Sequence, residues 1–258
     1  MSRIVVLGSS SGMPDSTRAC SSILIETNNN SYLIDVGEGC ASSIIRHNID
    51  PEKIGQVFVT HTHSDHSMGI FMLVQMMHLL KRKKNLDIYL PEEALFWFEN
   101  MFDAVYLFQD NLSFGFELKP INIDFVYQDE DLILKAFPNQ HLLSNEDFIK
   151  EQSLTNKMES YCFLIEIDGK RIVYSGDIAG IEDIESQSEG VDFLLCESTH
   201  IKVEELVELA SRKKVKSTIL THIHDSMDKD KTSIVMMGKK HAYKNIVFAY
   251  DGLCIDIK

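Results

Sequence analysis

Short apolar runs broken by Gly, Ser and Asn dominate the first sixty residues. Residues 3–7, 22–26, 32–36 and 56–60 are rich in Val, Ile, Leu and Phe and predict four strands. Between the third and fourth, Glu38 to His47 predicts a helix, and Asp50-Pro51-Glu52 marks the turn that follows. From Ser67 to Lys84 the apolar positions Ile70, Met72, Leu73, Met76, Met77, Leu79 and Leu80 suit one long helix. The basic run Lys81-Arg82-Lys83-Lys84 would complement the dipole at its C-terminus. The methionines Met68, Met72, Met76 and Met77 are expected on the core face of that helix.

Leu86 to Leu90 predicts another strand, Pro91 is placed as the first residue of a helix through Phe102, and Phe114 to Phe137 holds two or three strands. Tyr161–Ile167 and Arg171–Ser175 flank Asp168-Gly169, a strong hairpin signal because a type I′ turn needs positive φ at both central positions. Later strands at 191–197, 217–221, 246–250 and 254–257 alternate with helices at 202–212 and 228–240. Strands in runs of two or three, with helices between some of them, favour two mixed sheets packed face to face with helices outside. No linker, repeat or low-complexity stretch interrupts the pattern, so residues 1–258 are expected to form a single domain.

Charge narrows the field of partners. With 25 Lys+Arg against 39 Asp+Glu, the net charge of −14 argues against a broad basic grip on nucleic acid. Three local runs, Lys81 to Lys84, Arg212 to Lys216 and Lys239-Lys240, remain candidates for a phosphate-tracking patch. No stretch approaches the roughly 20 apolar residues of a membrane span, and the chain opens on a strand rather than a signal sequence, so a cytoplasmic protein without a membrane partner is expected. Five scattered cysteines without a C-x-x-C pair read as free thiols in a reducing compartment.

The densest chemistry follows the strand 56–60, in Thr60-His61-Thr62-His63-Ser64-Asp65-His66. Residues i and i+2 of an extended segment point the same way, so His61 and His63 can serve one metal while the turning chain offers Asp65 and His66 to a second. Two metals need further donors, and His141, Asp177 and His222 each stand where an element is predicted to stop.

These pieces resemble a metallo-β-lactamase superfamily hydrolase of the ribonuclease Z and related phosphodiesterase branch. The likeness runs from Leu7-Gly8-Ser9-Ser10-Ser11-Gly12-Met13-Pro14 and Ile34-Asp35-Val36-Gly37-Glu38-Gly39 through the His61–His66 loop and His141. It continues in Tyr174-Ser175-Gly176-Asp177, Cys196-Glu197-Ser198-Thr199, Thr221-His222 and Ala249-Tyr250-Asp251-Gly252.

The resemblance implies an α/β fold, a four-layer αββα sandwich, with two divalent ions, zinc or manganese. His61, His63 and His141 would bind the first ion, Asp65, His66 and His222 the second, and Asp177 would bridge them. Asp35 would orient a ligand histidine from behind. A metal-bridging hydroxide would attack, Asp65 would take the proton of that water, and Glu197 would support proton donation to the leaving group. One departure is Cys196, which precedes Glu197 where that group has His. A second is His224, two residues after His222 and next to Asp225, expected either as a general acid or phosphate contact or as a solvated loop residue. His200 is a weaker candidate for the same role, expected rather as a loop residue.

The interval between His141 and Asp177 holds only a loop at 142–158 and the hairpin, without the protruding arm usual in tRNA-processing ribonuclease Z proteins. The expected substrate is therefore a small phosphodiester such as a cyclic nucleotide, or a single-stranded RNA end. The alternatives are tRNA 3′ processing without the arm, or carbonyl-ester hydrolysis of the lactonase or thioesterase kind. The resemblance also admits a homodimer. The aromatic stretch 91–118, with Phe96, Trp97, Phe98, Phe102, Tyr106, Phe108, Phe114 and Phe116, is expected to pack mainly into the core.

Overall fold

The computed structural model describes residues 2–224 and 227–257, and the backbone alone for 227–230. The chain folds as two compact units, one comprising 1–122 with 250–258 and the other 123–249. Each is built on one seven-stranded mixed sheet.

The first unit contains β1 (Arg3–Gly8), β2 (Ser22–Glu26), β3 (Ser31–Ile34), α1 (Cys40–Arg46), β4 (Ile54–Phe58), α2 (Ser64–Ser67), α3 (Gly69–Leu79), β5 (Leu86–Pro91), α4 (Leu95–Ala104) and β6 (Phe116–Ile121). Its sheet has the order β14-β1-β2-β3-β4-β5-β6, where β14 is Cys254–Asp256. Strands β14, β1, β2 and β3 pair antiparallel in turn, and β3 to β6 pair parallel. Ile4, Val5, Val6 and Leu7 are all buried, which is why the strands read as continuous apolar runs rather than alternating ones. Ile44 of α1, Ile70, Leu73, Val74 and Met77 of α3, and Phe98 and Phe102 of α4 join Val5, Leu7, Leu24, Leu33, Val57 and Ile88 in one core.

The second unit contains β7 (Val126–Gln128), β8 (Leu132–Pro138), α5 (Glu146–Glu151), β9 (Tyr161–Ile167), β10 (Lys170–Tyr174), α6 (Glu182–Glu185), β11 (Phe193–Glu197), α7 (Val203–Arg212), β12 (Ser217–Thr221), α8 (Met227–Lys240) and β13 (Ile246–Phe248). Its order is β13-β12-β11-β10-β9-β8-β7, parallel from β13 to β10 and antiparallel from β10 to β7. The predicted hairpin forms, with Ile167 opposite Lys170 and positive φ at Asp168 (49°) and Gly169 (72°).

Four expectations change. The helix expected over 67–84 is a one-turn α2 and an eleven-residue α3 that stops at Leu79, because Lys81 turns left-handed (φ 63°) and sends Arg82 inward. Its buried face is Ile70, Leu73, Val74 and Met77, which leaves Met68 and Met72 exposed. Pro91 ends β5 instead of opening a helix, and α4 starts at Leu95. The aromatic stretch divides: Phe98, Phe102, Phe114 and Phe116 are buried, whereas Phe96, Trp97, Tyr106 and Phe108 are exposed.

Candidate metal centre

In the first unit, β3 and β4 run parallel and both stop short of the predicted strand ends, so residues 35–36, the loop 59–63 and the start of α2 lie beyond their carboxyl ends. That is where open parallel sheets place ligands. Asp35 adopts a left-handed backbone (φ 54°) and is fully buried. A non-glycine residue there is strained, a feature that clusters at functional sites. Its Oδ1 accepts the backbone N–H of Thr60 at 2.8 Å, and its Oδ2 lies 2.8 Å from Nδ1 of His66.

His61 and His66 are buried beside each other with ring centroids 4.3 Å apart, and the exposed His63 ring lies 4.7 Å from that of His61. Nε2 of His66 is 3.6 Å from Oδ2 of Asp65. The loop is clasped to Val36 by backbone bonds, Val36 N–H to His66 O at 2.7 Å and Gly69 N–H to Val36 O at 2.8 Å. Two glycines make that clasp sterically feasible. A Cβ on Gly37 would stand 2.1 Å from the Asp65 carbonyl oxygen, and one on Gly69 would stand 2.1 Å from that of Gly37.

In the second unit the buried Asp177, just past β10, gathers imidazoles. Its Oδ2 lies 3.7 Å from Nε2 of His141 and 3.8 Å from Nδ1 of His200, and its Oδ1 lies 3.4 Å from Nε2 of His222. His222 follows β12 in a second left-handed backbone (φ 53°), its carbonyl accepting the Thr199 hydroxyl at 2.7 Å. Asn139 orients His141 by accepting its backbone N–H at 3.0 Å.

Glu197 ends β11 as a carboxylate with only 1% exposure. It accepts the backbone N–H groups of Ile178 (3.3 Å), Thr199 (2.7 Å) and His200 (2.8 Å) and lies 3.1 Å from Nδ1 of His200. His200, the weaker of the two candidates in sequence, has its ring beside Asp177 and Glu197, 4.9 Å from that of His141. The only local signal was its place three residues after Glu197. His224 is exposed, and Asp225 beside it lies outside the described residues.

These donors fit divalent metal ions. Two ligand atoms sharing a tetrahedral zinc at 2.0–2.1 Å stand about 3.3 Å apart. The His222–Asp177, His66–Asp65 and His141–Asp177 separations of 3.4, 3.6 and 3.7 Å approach that spacing and exceed a hydrogen bond. Imidazole and carboxylate are the donor types that zinc and manganese share.

The family model of the anti-Pycsar protein Apyc1 matches residues 2–243. The chain belongs to that family. Beyond this anti-Pycsar family, ribonuclease Z of Methanosarcina acetivorans is 27% identical, covering 100% of this chain and 98% of its own. That alignment runs over 307 positions, so the relative carries segments this 258-residue chain lacks. Among solved structures, the metallo-β-lactamase fold protein YhfI from Bacillus subtilis superposes with a TM-score of 0.77 at 18% identity, covering 98% of each chain. Human tRNase Z, short form, superposes with 0.75 at 19%, covering 99% of each. The chain thus has the metallo-β-lactamase fold, two mixed sheets flanked by helices, as the resemblance implied. Among the described residues no helix is long and apolar enough to cross a membrane.

Proposed function

We propose that this anti-Pycsar family member is a metal-dependent phosphodiesterase that holds two divalent ions and hydrolyses a small phosphodiester, a cyclic nucleotide being the favoured class. The first unit would supply His61, His63, Asp65 and His66 as ligands, and the second would supply His141, Asp177 and His222. The observation that carries the reading is the buried Asp177 carboxylate with His141 and His222 at metal-sharing distances on its two oxygens. The bound ions supply Lewis acidity, which readies a water at neutral pH and takes up charge on the phosphoryl oxygens.

The protein's own groups do the rest. Asp65 takes the proton of the attacking water, and the buried Asp35 keeps His66 in place. Glu197 holds the partly exposed His200, whose ring stands beside Asp177 and supplies the hydrogen bond that the departing oxygen needs. In this role His200 takes precedence over His224.

Substrate size follows from the fate of the basic runs. Arg212 pairs with Glu185 at 2.7 Å, Lys216 with Asp192 at 2.7 Å and Lys240 with Glu204 at 2.7 Å, while Arg82 is buried. Basic side chains already neutralised on the surface make a poor track for a polyanion. The stretch between His141 and β9 holds only a short 3-10 helix, His141–Asn145, and the six-residue α5 where an arm would stand.

The test is turnover of bis(p-nitrophenyl) phosphate, cyclic nucleotides, a single-stranded RNA end and a lactone by zinc- or manganese-loaded protein. Metal-dependent cleavage of the cyclic phosphodiesters is expected, with loss in Asp177→Ala. Faster cleavage of RNA would return the substrate class to that of the ribonuclease Z relatives. Lactone turnover alone would overturn the phosphodiesterase reading.

A further inference from the structure

The hydroxyl of Thr60 touches three atoms that the proposed chemistry uses. Oγ1 lies 3.0 Å from each carboxylate oxygen of Asp35 and 3.0 Å from Nδ1 of His61, and all three side chains are buried. Proton counting fixes the direction of these bonds. A carboxylate only accepts, and a hydroxyl has one hydrogen to give. The Thr60 hydroxyl therefore donates to Asp35, and toward His61 it can only accept. The proton of a neutral His61 ring then resides on Nδ1, and the Nε2 lone pair is the one presented for coordination.

We propose that Thr60 is a positioning residue that extends the reach of Asp35 to His61, so that a single buried carboxylate sets the coordinating nitrogen of two ligand histidines. Asp35 acts on His66 directly through Oδ2 and on His61 through the Thr60 hydroxyl. The proposal rests on the reading that His61 and His66 serve different ions, and it makes the loading of both depend on one side chain. Outer partners of ligand histidines typically change metal affinity 10- to 100-fold when removed. Thr60 also donates its backbone N–H to Asp35 at 2.8 Å, a bond that survives substitution of its side chain. The hydroxyl can therefore be removed while Asp35 stays tethered to the chain.

The experiment uses the full chain stripped with a chelator and reloaded with Co²⁺ or Zn²⁺. It compares wild type with Thr60→Val, Thr60→Ala and Thr60→Ser by metal content, chelator competition and the visible Co²⁺ spectrum. Thr60→Val and Thr60→Ala are expected to weaken one of two ions about 10- to 100-fold and to change the spectrum of that ion. Thr60→Ser, which keeps the hydroxyl, is expected to behave as wild type. Thermal melts of the metal-free variants identify any variant that fails to fold, and Thr60→Ala decides if the β-branched Val does not fit. Unchanged affinity for both ions in folded variants without the hydroxyl would overturn the proposal. Should wild type bind only one ion, the two-ion reading falls, and the Thr60 proposal is judged on the affinity of that ion alone.

Discussion

Nδ1 of His66 stands 2.8 Å from Oδ2 of Asp35, and both side chains are shut away from solvent. The other oxygen of the same carboxylate accepts the Thr60 N–H at 2.8 Å, so both faces of Asp35 must be acceptors. Asparagine has almost the same shape but turns one face into a donor. Either amide orientation sets two donors against each other, at Thr60 N–H or at a His66 ring protonated on Nδ1. Asp35→Asn is expected to lower affinity for the ion at His66 by about 10- to 100-fold, read by chelator competition. Metal binding equal to wild type would mean that the carboxylate only terminates β3.

Arg82 is 1% exposed in the first unit, yet it carries a permanent charge. Its Nε donates to Lys84 O at 2.8 Å, its Nη2 to Ile54 O at 2.6 Å and Asn85 O at 2.9 Å, and its Nη1 to Pro51 O. The guanidinium also lies 5.5 Å from the centre of the Phe114 ring. One side chain thus ties the turn before β4 to the turn before β5. Arg82→Met would leave several buried carbonyls unsatisfied, and a loss of about 3 kcal/mol is expected in urea unfolding. Arg82→Lys is expected to recover less than half of it, since an ammonium cannot reproduce the planar fork. A change below about 0.5 kcal/mol in both variants would show that the carbonyls find water instead.

That arginine also shows where the sequence was silent. In the run Lys81-Arg82-Lys83-Lys84 all four residues look alike, and only the left-handed turn at Lys81 selects Arg82 for the interior. Strand runs such as Ile4–Leu7 and the Asp168-Gly169 turn were legible because their patterns are local. The cluster of His61, His63, Asp65 and His66 stands out in sequence as well, since four residues of metal-binding type fall within six positions. Thr60 is not legible there, and His200 is so only weakly, because their meaning depends on partners 25 and 23 residues away, Asp35 and Asp177. Gly37 and Gly69 look like loop glycines in sequence, and only the closeness of the opposing carbonyls explains them.

Asp192 gives the fold a defined response to acid. Burial pushes its carboxyl upward, but Lys216 at 2.7 Å, the Arg171 backbone N–H at 2.9 Å and Lys170 at 3.7 Å outweigh it and hold the group below the usual aspartate value. The folded state therefore binds this proton less readily than the unfolded chain. The stabilisation is fully present above about pH 4 and is lost as pH falls through the carboxylate range to the lowered folded value. Asp192→Asn is expected to be less stable by about 1 kcal/mol at pH 7. The gap should close on acidification, as read by urea midpoints from pH 7 to pH 3. A gap that stays constant across that range would assign the loss to packing rather than to ionisation.

His200 and His224 compete for one role, and leaving-group chemistry separates them. A nitrophenolate departs without a proton, whereas the sugar oxygen released from a cyclic nucleotide does not. A group that only assists departure therefore matters for the second substrate and hardly at all for the first. The Glu197–His200 contact of 3.1 Å, with the ring 38% exposed and 3.8 Å from Asp177, suits such assistance. His200→Ala is expected to leave nitrophenyl ester turnover within about threefold while cutting cyclic nucleotide turnover at least about 100-fold, with metal content unchanged. Glu197→Gln should follow the same pattern more weakly, because its amide still reaches the ring but no longer stabilises a positive imidazolium. His224→Ala should leave both substrates untouched. Equal losses on both substrates in His200→Ala, accompanied by loss of an ion, would make His200 a metal ligand alongside His222 and return the leaving-group role to His224.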